Sequence, residues 1–190
     1  MIQVWILAKN QNPVRAAKTG HNAVVCGNCP IKDACYVDLG KAPLQVWKAY
    51  KRGCYPVLPS LDVFKGRQVR FGAYGDPAFL PFELLRSIAE ISAGWTGYTH
   101  QWRNPLFSAF KRYLMASVES TDGEAQARFC GWRTFRISRS LDPKPNEVVC
   151  PNTSRGITCA DCGLCRGLSR PAKSIVIEVH GMRKKKLKAA

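Results

Sequence analysis

The chain has 190 residues, of which 29 are basic and 13 acidic, giving a net charge of +16, and nine are cysteines. No stretch reaches the roughly 18 consecutive apolar residues of a membrane span, and MIQVWILAKN is too short for a secretory signal. A membrane protein and a secreted disulfide scaffold are therefore set aside for a thiol-rich protein of a reducing cytoplasm, folded as one domain or a core with small metal-stapled excursions.

Residues 1–65 read as a loop-rich cap, continuous with the core and punctuated by Pro13, Pro30, Pro43, Pro56 and Pro59, with one helix predicted over 44–53. The cap carries Cys26, Cys29 and Cys35 in CGNCPIKDACYV, three thiols flanked by turn residues. Cys54, in RGCYP, is a candidate fourth ligand and His21 a lesser one. With a fourth ligand the site is a closed structural staple; with three thiolates alone it keeps the open position a catalytic metal needs. Both remain open at this point.

Residues 66–181 alternate strand and helix signals. VRFGAY (69–74) is a strand ending at Gly75-Asp76-Pro77, and FELLRSIAEIS (82–92) has helical spacing with Gly94 as a stop. WTGYTHQW (95–102) reads as a strand, Pro105 opens a short helix through Phe110, and YLMASVES (113–120) is a further strand. TDGEAQARFC (121–130) starts on a capping-type Thr121 with Glu124 three residues on, and Cys130 reads as a buried helix thiol. WRTFRIS (132–138), VVC (148–150) and SIVIEVHG (174–181) are the remaining strands. The pattern predicts an α/β fold: a small or partial parallel β/α barrel-like sheet with a loop-rich, metal-stapled N-terminal segment.

In such folds function gathers at the C-terminal ends of strands. His100, Glu119 and His180 fall there as candidate catalytic acid–base groups, with Asp76 beside them; the ordinary alternative is that each hydrogen-bonds a loop backbone. The same rim receives Cys150, which with Cys159, Cys162 and Cys165 makes the second thiol group, in CPNTSRGITCADCGLC. A continuous C-x2-C-x2-C run with a distant cysteine followed by proline (Cys150-Pro151) resembles ferredoxin spacing more than paired zinc knuckles, so a [4Fe–4S] cluster leads and Zn2+ is the alternative.

The charge is spread through the chain. The tail, 182–190, holds five basic residues, and without them the net charge is still +11. Arg103, Arg133, Arg136 and Arg166, several beside aromatics, together with Lys184, Lys185 and Lys186, compose a candidate nucleic-acid surface.

KTG (18–20), CGNCP…ACYV (26–37), RFGAYGDP (70–77), TGYTHQW (96–102), SVES (117–120) and TCADCGLC (158–165) together resemble the phage-encoded "gene product 88"-like family of cysteine-rich proteins. The resemblance spans most of the chain. It implies a phage origin and a fold similar to the partial barrels of radical S-adenosylmethionine enzymes, with S-adenosylmethionine as a further cofactor candidate. The usual C-x3-C-x2-C signature of those enzymes is absent, so Cys26-x2-Cys29-x5-Cys35 would be a non-standard variant.

Three readings follow. The first is a phage metal-cluster protein of the host cytoplasm that contacts nucleic acid through its basic face, with phage or host proteins as further partners. The second is a non-standard iron–sulfur, radical-SAM-like enzyme with an open cluster at Cys26, Cys29 and Cys35. The third is a zinc- or cluster-stapled virion or assembly protein.

Overall fold

The structure, a computed structural model, describes residues 1–55, 57, 60–181 and 184–186. Pro56, Pro59 and the tail residues 182–183 and 187–190 lie outside the described residues.

The chain opens with strand β1 (Ile2–Trp5) and three helices, α1 (Pro13–Thr19), α2 (Ala23–Cys26) and α3 (Ala42–Lys51). Then come β2 (Gln68–Tyr74), α4 (Phe82–Ile91), β3 (Gly94–Thr96) and β4 (Tyr98–Thr99). They are followed by β5 (Met115–Val118), α5 (Thr121–Phe129), β6 (Thr134–Ser138) and β7 (Glu147–Val149). Two short helices, α6 (Pro151–Arg155) and α7 (Cys159–Cys162), lead to β8 (Ser174–Glu178).

Every strand pairing is parallel, in two sheets ordered β1-β2-β3 and β4-β5-β6-β8-β7. The fold is therefore α/β with parallel sheets, as the alternating pattern predicts. Gly97 stands between β3 and β4: its N–H donates to the Cys165 carbonyl at 3.3 Å and its own carbonyl accepts from Met115 N at 3.0 Å. A Cβ at Gly97 would sit 2.6 Å from Leu114 Cδ2 and 3.1 Å from Phe71 Cβ, so a side chain here would push the two sheets apart.

Side chains alternate across each strand, and the two faces have different fates. Val69 and Phe71 of β2 join Ala116 and Val118 of β5, Leu85, Ile88 and Ala89 of α4 and Ala127 of α5 in the main core. Phe71, Leu85 and Leu114 are fully buried, each stabilising the fold by about 1.5–3 kcal/mol relative to exposure. The alternate residues Arg70, Gly72, Tyr74, Ser117, Phe135, Ile137 and Ile177 line a cavity on the other face. Beneath it Met115, Phe135, Cys165 and Ile175 form a second apolar cluster.

The structure differs from the sequence reading at five places. Ile2–Trp5 is a strand of the β1-β2-β3 sheet, so the first segment contributes to the core sheet as well as covering it. The stretch 95–102 is broken by Gly97 and ends in a 3-10 turn, and the turn opened by Pro105 is 3-10 throughout and runs to Arg112. Ser120, not Thr121, caps α5, its Oγ accepting from Gly123 N at 3.0 Å. This frees Glu124 to be buried against Lys144 Nζ (3.0 Å) and Asn146 Nδ2 (3.1 Å). Cys130 is exposed, because α5 turns Gly123, Glu124 and Ala127 inward and its last turn, with Phe129, faces solvent.

Candidate metal and ligand site

The cavity on the inner face holds about 290 Å3, and both cysteine groups reach it. Cys26, Cys29 and Cys35 line it from the N-terminal segment, and Cys150 and Cys159 from the connection between β7 and β8. No disulfide joins the described cysteines.

The trio is carried by α2 and the loop after it. Asp76 N donates to the Val25 carbonyl at 2.7 Å, and Gln101 Nε2 to the Cys26 carbonyl at 3.2 Å, fixing that loop to the ends of β2 and β4. Gly27 makes the second contact possible. Its φ is +54°, and a Cβ would lie 2.6 Å from the Gln101 amide. Val25, Leu39, Ala8 and Tyr74 form a small core under the segment, and Trp47 Nε1 donates to the Ala8 carbonyl at 3.0 Å. Burial pushes the Cys26 thiol up to about 11, with Tyr74 opposing and the neighbouring Cys29 and Cys35 adding to the rise. The Tyr74 hydroxyl is buried beside Cys26 with no well-formed hydrogen bond of its own.

Behind the trio stands His100. Its backbone N–H donates to Asp76 Oδ2 at 2.8 Å, while Asp76 Oδ1 accepts from Ala78 N at 3.0 Å, so Asp76 acts as a buried brace. The imidazole lies between Cys29 and Glu119, with Nε2 3.0 Å from Glu119 Oε1. Burial alone would lower the imidazole pKa, but the contacts with Cys29 and Glu119 outweigh it and raise it to about 10. His100 lines the cavity, and Glu119 stands behind it. His180 lies at the mouth, exposed, its ring 5.2 Å from that of Tyr36 and its Nδ1 3.2 Å from the Glu178 carbonyl. The three proposed acid–base residues thus divide into a half-buried pair and a separate histidine at the entrance.

The quartet is built locally. Cys150 precedes Pro151 at the start of α6, Thr158 caps α7 so that Cys159 and Cys162 occupy its two ends, and Cys165 follows in the loop. The four thiols ring a small cavity of about 20 Å3 together with Thr96, Tyr98, Leu164 and Ile175. Burial pushes Cys165 up to about 12, Tyr98 opposing and Cys150, Cys159 and Cys162 adding to it. Arg133 locks the connection to β6, donating to the carbonyls of Leu164 (3.0 Å), Gly167 (2.8 Å), Arg170 (3.1 Å) and Lys173 (2.6 Å).

Among the described residues no three His, Cys, Asp or Glu side chains converge as a ready-made cage for one ion. A tetrahedral zinc with bonds of about 2.3 Å needs its sulfurs about 3.8 Å apart. A cubane carries its own sulfides and takes thiolates standing farther apart. The four thiols ring a cavity whose 20 Å3 is room for about one water. Cys54 and His21 are exposed and neither lines the cavity.

Compared with known proteins, the chain matches no family model, no curated protein and no solved structure. Its function therefore has to be read from geometry.

The candidate nucleic-acid residues separate into two sets. Arg133 and Arg136 are buried, at 8% and 3% exposure, and both bond internally, Arg133 through its two terminal nitrogens while its Nε has no partner. Arg136 makes a two-pronged pair with Glu147 (2.8 and 2.7 Å) and reaches Asp142. Both are withdrawn from any surface that grips phosphates. Arg103, its guanidinium 4.0 Å from the Trp102 ring, and Lys184, Lys185 and Lys186 in one 3-10 turn remain exposed. Arg166 packs 5.6 Å from the Trp95 ring and close to Gly94, half-buried. Sequence reasoning missed Arg70 and Tyr36, which meet at 2.8 Å across the cavity. Alternation along β2 was the available signal for Arg70.

No helix among the described residues is long and apolar enough to cross a membrane.

Proposed function

We propose that the protein is an iron–sulfur enzyme of non-standard type. The quartet Cys150, Cys159, Cys162 and Cys165 would hold a closed [4Fe–4S] cluster, and the trio Cys26, Cys29 and Cys35 a second with one open position. The observation that carries this reading is that both thiol groups face one 290 Å3 cavity from different sides. A structural staple has no need of a shared cavity; a site that brings a small molecule to a metal centre does. In this reading the two sheets and the Gly97 junction form a partial barrel open at the strand ends, and the trio staples the N-terminal segment over it.

A cluster with three protein thiolates supplies an iron position for an exogenous ligand, S-adenosylmethionine among the candidates, together with one-electron redox chemistry. The chain's own residues would do the rest. Phe135, Ile137 and Ile177 exclude water from the floor, and Glu119 and the Asp76-braced backbone orient His100 against Cys29. An anaerobically prepared sample should absorb broadly near 400 nm, bleach with dithionite and contain iron and acid-labile sulfide in equal amounts (about the behaviour of thiolate-bound clusters). A colourless protein with stoichiometric zinc would overturn the reading.

A second reading, nucleic-acid contact, is favoured by the net charge of +16 and the Arg103–Trp102 stack. It predicts binding that weakens steeply with salt. Absence of a gel shift at micromolar protein and low salt would dismiss it.

A further inference from the structure

Three arginines on or beside the inner strands turn toward the protein interior, and the fold treats them differently. Arg133 spends both terminal nitrogens on four carbonyls, and Arg136 is paired with Glu147 and Asp142. Arg70 lines the cavity, and among the described residues its one side-chain hydrogen bond goes to a neutral group, Tyr36 Oη at 2.8 Å. No carboxylate of the described residues pairs with it. A half-buried guanidinium with donors to spare, facing a half-open cavity, is a group waiting for an anion.

The surroundings narrow the anion. Tyr98, Phe135, Ile137, Ile177, Ile31 and Val37 give the cavity apolar walls. The volume is that of a small molecule, below the drug-sized range. Tyr36, which holds Arg70, also stacks on His180, so one aromatic side chain spans the guanidinium and the entrance histidine.

We propose that the cavity binds a small organic carboxylate with an apolar body, its carboxylate taken by Arg70 in place of the Tyr36 hydroxyl. This deepens the reading of the cavity as a substrate site, and rests on it, by naming the substrate class. The apolar body lies on Phe135 and Ile177. The carboxylate sits on the wall between the two thiol groups, which turns the rest of the molecule toward one of them.

Benzoate and benzamide, matched in size and differing in charge, are the probes, titrated by ligand-observed NMR into anaerobically purified protein whose iron, sulfide and zinc contents are measured on the same sample. Wild-type protein should bind benzoate saturably in the millimolar range and at least tenfold more tightly than benzamide. Arg70→Gln should lose that preference, and Arg70→Lys, which keeps the charge but not the planar fork, should retain part of it. Equal binding of the two probes, or no saturable binding of benzoate, overturns the proposal without recourse to any variant. So does an Arg70→Gln protein that keeps the preference, or one that loses metal while wild type shows no preference, since Arg70 would then serve only the neighbouring Cys159 centre. Charge-selective binding by a sample devoid of metal would leave the carboxylate site standing and remove the iron–sulfur reading.

Discussion

The trio and the quartet use the same residue, yet the fold builds them in opposite ways. The quartet is compact in sequence, from Cys150 to Cys165, spaced by two short helices and clamped by four carbonyl bonds from Arg133. The trio depends on contacts from afar: Gln101, Asp76 and His100 all come from the ends of β2 and β4, and among the described residues Cys54 does not line the cavity with it. A locally specified set of four thiols is suited to holding a group permanently. A set of three thiols assembled by distant elements, with a cavity in front, is suited to exchange.

The comparison can be broken most forcefully at Arg133. Arg133→Met leaves four carbonyls without their shared donor and should cost about 3–5 kcal/mol. That corresponds to about 10 °C or more in melting temperature, and on the iron–sulfur proposal the quartet's cluster should be lost before the trio's. Gly27→Ala should act on the other side. Its positive φ and the encounter with Gln101 predict a cost of about 1–3 kcal/mol. The loss should be read as faster hydrogen exchange across residues 22–30, with metal at the quartet retained.

Acid should loosen the quartet's side more gently. Burial would raise the Glu124 pKa, but hydrogen bonds from Lys144 and Asn146 and the charge of Arg128 lower it on balance. A carboxylate with a depressed folded pKa stabilises above the ordinary glutamate range and loses that contribution as pH falls through its folded value. Lys144 and Asn146 lie just before β7 and Cys150, so wild-type stability should fall below about pH 4.5. Glu124→Gln should flatten that limb in a pH series of urea melts. The smallest effect is expected at Cys54, which is exposed and away from the cavity. Cys54→Ala should change stability by less than about 0.5 kcal/mol and leave metal content unaltered; loss of iron in that variant would make the trio a closed site.

The strands of the core were legible because alternation in VRFGAY, WRTFRIS and SIVIEV carries the period of a sheet with two distinct faces. β1 was not, since the apolar residues of MIQVWILA run on without a period and only pairing with β2 defines a strand there. Cysteine spacing marked both thiol groups, but the placement of Cys54 and the approach of His100 to Cys29 are long-range facts that spacing does not encode. Arg133 and Arg136 illustrate the opposite error. Arginine beside aromatics looked like a phosphate-binding surface, whereas just before β6 and within it these side chains meet carbonyl groups and carboxylates supplied from other parts of the chain.

The most direct test of the account counts iron and acid-labile sulfide per chain in three anaerobic preparations: wild type, Cys26/Cys29/Cys35→Ala and Cys159/Cys162→Ala. Two independent cubanes predict about eight irons in wild type and about four in each variant, with only the trio variant insensitive to added small-molecule ligands of iron. One or two zincs and no sulfide in wild type would contradict the account, as would a single cluster lost equally from both variants.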